Sequence, residues 1–111
     1  MSRNRYRHKV RILRRDPDNP GGGHVPPGYL PLAETSCEIR DETETEFAAA
    51  ESARVEHVKT FTMRARDIRS DDMLVWMGEA YRVRRVDGVF NNGREIRVRA
   101  SLTKSRYTVK G

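Results

Sequence analysis

The sequence predicts a mainly β protein, namely a small antiparallel β-barrel of five or six strands with one short helix or long inserted loop. Near the C-terminus, apolar and polar residues alternate without error, and the apolar set is Ile96, Val98, Ala100 and Leu102. Just before this run, Asn92-Gly93 favours the type I′ turn of a β-hairpin. The 111 residues suffice for one domain with a single core, so the domain is predicted to cover residues 1–111.

Two strands flank a turn-rich region in the N-terminal third. His8–Arg14 is predicted to be the first strand, with Val10 and Ile12 on one face. Residues 15–28 follow as a loop, because their prolines and glycines are incompatible with a helix or a central strand. Tyr29–Arg40 resumes an extended pattern and is predicted to be the second strand.

Residues 40–53 form an acidic segment that differs in composition from its neighbours. Thr43 and Glu46 fit a capping box, and the alanines that follow Phe47 favour a helix. A helix of about ten residues is marginal alone in water. The segment is therefore predicted to be a loop or a short helix that needs packing or a partner.

From Arg54 onward the apolar period becomes two, which predicts a third strand with Phe61, Met63 and Ala65 on its buried face. The stretch DDMLVWMGEAYRVRRV is predicted to be a hairpin, because β-branched and aromatic residues flank a central glycine. Its strands are Met73–Met77 and Ala80–Val86, and its turn is Gly78-Glu79. The expected core residues in it are Leu74, Trp76, Tyr81 and Val83.

Two further features concern the phase and the continuation of this hairpin. Because its first strand is an uninterrupted apolar run, the pattern leaves open which residues from Met73 to Met77 face inward. The second strand is expected to run on towards Phe90, with a bulge at Asp87-Gly88. Residues 1–6 are predicted to be a flexible basic N-terminus, and residues 103–111 a C-terminal tail.

Charge is unevenly distributed along the chain, whose net charge is +6. Arginine and lysine are concentrated at the two ends, whereas the middle is acidic. This asymmetry indicates a polyanion or an acidic protein surface as a partner of the basic ends, although solvated faces would have the same composition.

No constellation of residues supports catalysis or metal binding. Cys37 and His57 lie in different predicted elements without a supporting motif, and the histidines lack the spacing of metal ligands. The protein is therefore predicted not to be an enzyme and to need no cofactor. The single cysteine excludes an internal disulfide, and no apolar run is long enough to span a membrane.

Nucleic-acid binding by the barrel itself is the alternative. Arg97 and Arg99 on the last strand, with Arg82, Arg84 and Tyr81 on its neighbour, could form the basic and aromatic face of an oligonucleotide-binding module. Against this, aromatic residues make up only 7% of the chain.

The order of elements from Arg7 to Leu102 resembles the phage head-tail joining proteins, also called head closure or stopper proteins, which have relatives in gene transfer agents. The most specific part is the pattern I-x-x-D-D-x-L-V-x-x-G-x-x-Y-x-V. It matches at Ile68, Asp71, Asp72, Leu74, Val75, Gly78, Tyr81 and Val83.

This resemblance implies a structural part of the neck of a virion or gene transfer agent particle, made in the cytoplasm of the bacterial host. The subunit would be a monomer in isolation and form a twelvefold ring below the portal and adaptor. There it would close the DNA-filled head and dock the tail. The implied partners are the portal or adaptor protein, the tail proteins and the double-stranded DNA that passes through the channel, with no membrane.

Such a ring needs a segment that reaches into its lumen, and residues 40–53 are long enough to project on the order of 20 Å inward. The residues expected to face the lumen are Asp41, Glu42, Glu44, Glu46, Phe47 and Glu51. The basic residues expected to contact partner proteins are Arg5, Arg7, Arg11, Arg14, Arg97 and Arg99.

Overall fold

The computed structural model of the protein describes residues 6–42, 57–90 and 93–110. These residues form seven strands and no helix. The strands are β1 His8–Arg15, β2 Gly28–Glu42, β3 Val58–Arg64, β4 Met73–Trp76, β5 Glu79–Phe90, β6 Glu95–Thr103 and β7 Thr108–Val109. The prediction of a mainly β fold is confirmed. The helix predicted after Thr43 lies outside the described residues.

Six of the strands close into a ring through antiparallel pairs. The order is β1-β4-β5-β6-β3-β2, and β2 pairs back with β1. Closure protects the long edges of these strands from pairing with other chains. The short strand β7 lies outside the ring and pairs in parallel with Gly28 and Tyr29 at the start of β2.

The interior of the ring holds the larger apolar cluster. Alternate residues of each strand point inward, as the period of two predicts, and Phe61 packs edge-on against Tyr81 with ring centroids 5.5 Å apart. The buried members are Val10, Ile12, Cys37, Phe61, Met63, Ile68, Leu74, Tyr81, Val83, Ile96, Val98 and Ala100. Of the four predicted core residues in the hairpin, Leu74, Tyr81 and Val83 are buried, and Trp76 is half-buried.

A second apolar cluster lies on the opposite face of β1, β2, β4 and β5 and consists of Leu13, Tyr29, Met73 and Ala80. The C-terminal tail covers it, because Tyr107 and Val109 pack against it. The Tyr107 ring meets that of Tyr29 edge-on at 5.9 Å. Strand β4 is therefore buried on both faces, with Leu74 in the first cluster and Met73 in the second, and this explains its uninterrupted apolar run.

The β4–β5 hairpin is present, and its turn lies one residue earlier than predicted. Trp76 pairs with Glu79, so the two turn residues are Met77 and Gly78. Their φ angles are 51° and 79°, as a type I′ turn requires. The prediction of Gly78-Glu79 as the turn is wrong, because a single glycine fits either the first position of a type II′ turn or the second position of a type I′ turn, and the pairing of Trp76 with Glu79 selects the second. The register of β5 against β6 shifts between Asp87 and Val89, where the bulge is expected.

The proline- and glycine-rich loop is held by its own hydrogen bonds. Asp16 N donates to Gly28 O and Gly28 N donates to Asn19 O, each at 2.9 Å, and Asp18 N donates to the Asp16 carboxylate at 2.9 Å. A bridge between Gly22 and Val25 folds the tip back on itself. These bonds satisfy the backbone of a segment that cannot join the sheet. None of the described residues form a helix of the length and apolarity that crossing a bilayer requires.

Candidate functional site

A polar groove crosses the outer face of strands β2, β3, β6 and β5. Two rows of paired residues form it: Glu38, Thr62, Arg97 and Asp87 in one row, and Arg40, Thr60, Arg99 and Arg85 in the next. The groove encloses about 520 Å³, and we call it the outer groove. Its lining residues are Glu38, Arg40, Thr60, Thr62, Asp87, Arg97 and Arg99.

The depth of the outer groove arises from side-chain length. Thr60 and Thr62 are short residues on the central strand, and they form a floor with 8% and 7% exposure. Longer charged side chains on β2 and β6 stand on either side, one strand spacing away, which is about 4.8 Å. Thr60 and Thr62 point outward from β3 but are not exposed to solvent, because the charged walls of the groove shield them.

Positive charge prevails around the outer groove. Arg85 Nε lies 2.7 Å from the Asp87 carboxylate, and Arg84 donates to Ser101 Oγ at 3.2 Å. Arg97 and Arg99 also have interaction partners within the chain. A guanidinium carries five N–H donors, so it can serve an internal partner and an incoming carboxylate or phosphate together.

The acidic segment leaves the ring at the end that also carries the β4–β5 turn, which we call the hairpin end. Strand β2 continues to Glu42, because Asp41 pairs with Lys59 and Glu42 with Val58. Asp41 and Glu42 therefore lie in a strand, and not in the predicted loop or helix. Glu44, Glu46, Phe47 and Glu51 lie outside the described residues.

Lys59 closes the interior of the ring at the hairpin end. Its side chain is only 17% exposed and forms an ion pair with Asp41, whose own side chain is 80% exposed. The ammonium lies over the rings of Trp76 and Tyr81, 5.6 and 6.0 Å from their centroids. Burial, and then the nearby Glu79 carboxylate, raise the pKa of the Tyr81 phenol. The acidic segment thus starts from a rigid base of aromatic and paired charged side chains.

The guanidinium of Arg14, one of the basic residues expected to contact partners, binds a buried carboxylate within the chain. Its Nε and Nη2 atoms donate to the two carboxylate oxygens of Asp72 at 3.0 and 2.9 Å. Asp72 is almost fully buried and also accepts a hydrogen bond from Arg69 N at 2.9 Å. The hydrogen bond to Asp72 raises the pKa of Arg14 above its ordinary value. The pair ties residues 65–72 to strand β1.

The remaining predicted contact residues are dispersed. Arg7 precedes β1 and Arg11 lies on it, and both are exposed, whereas Arg5 lies outside the described residues. The structure thus brings together Arg97 and Arg99 but not the N-terminal arginines. Sequence reasoning missed Arg40, Glu38 and Asp87 as their neighbours in the outer groove. The outward phase of Glu38 and Arg40 on β2 was visible in the sequence, but the pairing of β2 with β3 was not.

Cys37 and Asp72 are two further titratable residues that lie inside the fold. Cys37 is fully buried, and burial raises its pKa to about 12, so its thiol stays protonated at neutral pH. The Asp72 oxygens are already bonded to Arg14 and Arg69. Within residues 6–42, 57–90 and 93–110, the histidines, cysteine and carboxylates form no group of three that could hold a metal ion.

The residues of the pattern on which the family resemblance rests have structural roles in the fold. Ile68 is buried in the main core, Asp72 anchors its loop, and Gly78 permits the hairpin turn. No curated protein matches the chain. The sequence model of a family described as phage head completion protein matches residues 1–103. Because that match covers nearly the whole chain, the protein belongs to the phage head completion protein family.

Proposed function

We propose that this head completion protein forms a ring below the portal and adaptor, closes the DNA-filled head and provides the docking surface for the tail. The observation that carries the proposal is the family match over residues 1–103. Its role is structural and not enzymatic, and its place is the neck of a virion or gene transfer agent particle. The outer groove and the hairpin end supply the surfaces for these contacts.

The dimensions of the subunit are compatible with a ring that leaves an open centre. The body measures 51 × 41 × 23 Å. Twelve bodies that meet across the 23 Å dimension have a circumference of about 280 Å and a radius of about 44 Å. With the longer dimensions pointing inward, the opening has a radius on the order of 20 Å. The acidic segment, residues 40–53, is long enough to project inward by about the same distance.

The connection between β2 and β3, residues 43–56, contains most of the acidic segment and is suited to this inward position. It joins the paired ends of β2 and β3, so the ring stays closed whatever the segment contacts. Carboxylates beside DNA repel its phosphates, which lets a retained duplex slide out at ejection without sticking. Asp41, paired with Lys59 at the base, holds the start of the segment in place.

The basic residues are proposed to contact acidic surfaces of the adaptor or tail. Charges at the rim of an interface chiefly set the association rate and the register of docking. Arg97 and Arg99 in the outer groove, with exposed Arg7 and Arg11, can act this way. The prediction that Arg14 contacts a partner stays a prediction, and its ion pair with Asp72 gives it a role within the chain as well.

Replacement of residues 43–57 by Asn-Gly tests the proposal that the acidic segment acts as a gate, which reaches into the lumen of the ring and retains the DNA. Glu42 and Val58 are paired neighbours, so a two-residue type I′ turn can join them and the ring should still fold. The change also removes the hydrogen bond that His57 O accepts from Leu102 N. Heads completed with this variant should leak DNA, measured as DNA that becomes accessible to nuclease.

A matched control separates the length of the segment from its charge. Glu44, Glu46 and Glu51 changed to Gln keep the length, so heads should stay full and release DNA more slowly during ejection. Heads that stay full with the Asn-Gly variant would refute the gate.

The purified subunit should sediment as a monomer, since the ring is proposed to form only on the portal and adaptor. A stable ring in solution would contradict this.

The alternative function is a nucleic-acid-binding module, and the arginines of the outer groove favour it. Glu38 and Asp87 lie among those arginines, however, and would repel phosphates. A mixed-charge groove suits a protein surface better, because carboxylates and cations can then both be matched. A gel shift with duplex DNA distinguishes the two functions, as set out in the Discussion.

A further inference from the structure

The tip of the β4–β5 hairpin carries a residue that neither turn geometry nor solubility favours. Met77 is 80% exposed, and its φ angle is 51°. The first position of a type I′ turn strongly prefers asparagine, aspartate or glycine. A left-handed backbone crowds the Cβ of any larger residue, so methionine strains the turn while exposing an apolar side chain to water.

Contacts within the chain can offset little of this cost, since the residue is 80% exposed. Strained residues persist where the conformation serves a function. Apolar residues in water are likewise common at binding surfaces, and methionine adapts to irregular apolar pockets. Strain and exposure are independent observations, and both mark Met77 as a residue kept for a contact outside the chain.

The surroundings of Met77 fit an anchor that enters a pocket. The neighbouring Trp76 is held by the His8 ring, with centroids 5.3 Å apart, and by Lys59 above its face. The tip is therefore built on a rigid base. Glu79 is exposed beside the tip, and Asp41, which pairs with Lys59, is exposed on the same end of the ring, so the side chains exposed around the apolar tip include two carboxylates. An apolar anchor with a charged rim is the usual composition of a small binding hot spot.

We propose that Met77 inserts into an apolar pocket with a basic rim on a different protein of the neck. This inference rests on the proposed function and names the surface by which the hairpin end docks. A second copy of the chain is the weaker occupant, because the outer groove and two further grooves of the described surface are lined mainly by charged and hydroxyl side chains. Such polar linings do not match the apolar thioether side chain of Met77.

Val25, another exposed apolar residue, lies in the loop between β1 and β2, at the opposite end of the ring. A contact between opposite ends of successive copies is heterologous and gives a filament unless the rotation between copies closes a ring.

The test uses three variants added to heads that were assembled without the protein, followed by tails. Met77→Asn relieves the strain and removes the apolar group, so the thermal midpoint should rise by about 3–6 °C. Joining of heads to tails should fall at least tenfold. Met77→Leu keeps the apolar group and the strain, so it should join heads and tails within about twofold of the unchanged protein. Val25→Asn removes an exposed apolar residue elsewhere and should leave joining unchanged.

If Met77→Asn raises the thermal midpoint but lowers the joining of heads to tails, Met77 acts as an anchor and not merely as a structural residue. Equal joining by Met77→Asn and the unchanged protein would overturn the inference, as would a lowered midpoint for Met77→Asn. If the unchanged protein restores no joining, the proposed function fails, and the anchor falls with it. If it restores joining that Met77→Asn also restores, only the anchor fails.

A photocrosslinker identifies the occupant. With p-benzoylphenylalanine in place of Met77, irradiation of assembled particles should attach the 12.8 kDa chain to a different neck protein. A product of twice this mass that contains only this chain would overturn the assignment to a different protein and identify a second copy instead.

Discussion

Asp72→Ala removes the carboxylate that holds residues 65–72 on strand β1. That carboxylate accepts two hydrogen bonds from Arg14 and one from Arg69 N, all between 2.9 and 3.0 Å. Loss of one partner of a buried ion pair costs about 3–5 kcal/mol, since the other charge is left without compensation. The Arg14 side chain is 23% exposed and can regain some hydration, which places the expected loss near the lower limit, about 3 kcal/mol.

Urea unfolding of the purified protein measures this loss directly. A loss of this size should lower the thermal midpoint by roughly 10 °C for a domain of this length. Asp67→Ala is the matched control, because Asp67 also contacts Arg14, at 3.6 Å, but its side chain is 68% exposed. An exposed pair contributes little, so the control should lose less than about 0.5 kcal/mol.

A double-mutant cycle separates the pair from other effects of the two substitutions. Arg14→Ala combined with Asp72→Ala should cost less than the two single changes together, by about 1–3 kcal/mol. The reasoning is refuted if Asp72→Ala costs less than about 1 kcal/mol or no more than Asp67→Ala. It follows that any loss of head-tail joining in Arg14→Ala must be compared at equal folded fraction before Arg14 is counted as a partner contact.

Three further predictions concern the outer groove, the buried thiol and DNA. Arg97→Gln with Arg99→Gln should slow head-tail joining about tenfold with little change in the thermal midpoint, whereas exposed Arg106→Gln should change neither; an unchanged joining rate would remove the outer groove from the interface. Burial raises the pKa of Cys37 to about 12 from about 9 in the unfolded chain, so the free energy of unfolding should fall as the pH rises from 9 to 12, by up to about 1.4 kcal/mol per pH unit. Cys37→Ala should show a shallower fall in urea titrations, and an equal slope in both proteins would contradict the assigned cause. In gel shifts at about 0.15 M salt, the free subunit should form no tight complex with duplex DNA, whereas strong and salt-sensitive binding would favour the nucleic-acid module.

Strands with one covered face were predictable from the sequence. In β6, Ile96, Val98 and Ala100 alternate with polar residues, and all three are buried. The bulge at Asp87-Gly88 was likewise predictable, because the glycine within the strand pattern signals it locally. The β4–β5 turn was misplaced by one residue, since Gly78 fits the first position of a type II′ turn as well as the second position of a type I′ turn, and local sequence does not choose between them.

The candidate sites depend on contacts between residues far apart in the chain. Arg40 joins Arg97 and Arg99 only because β3 pairs with β2 on one side and β6 on the other. Arg14 meets Asp72 across 58 positions, and nothing near either residue signals the other. The two-residue strand β7 has too short a pattern to predict, and it forms because β2 offers it an edge and the second apolar cluster needs a cover.

The sequence by itself determined the fold class, most strand positions and the family resemblance, because residue period, turn chemistry and motif spacing are properties of neighbouring residues. Only the tertiary structure decided which arginines share the outer groove, that Arg14 binds the buried Asp72, and why β4 is apolar on both faces. These properties arise from strand pairing over long distances in the chain. The pattern of residues along the chain does not say which strands pair, whereas the closed ring brings each strand beside two specific neighbours.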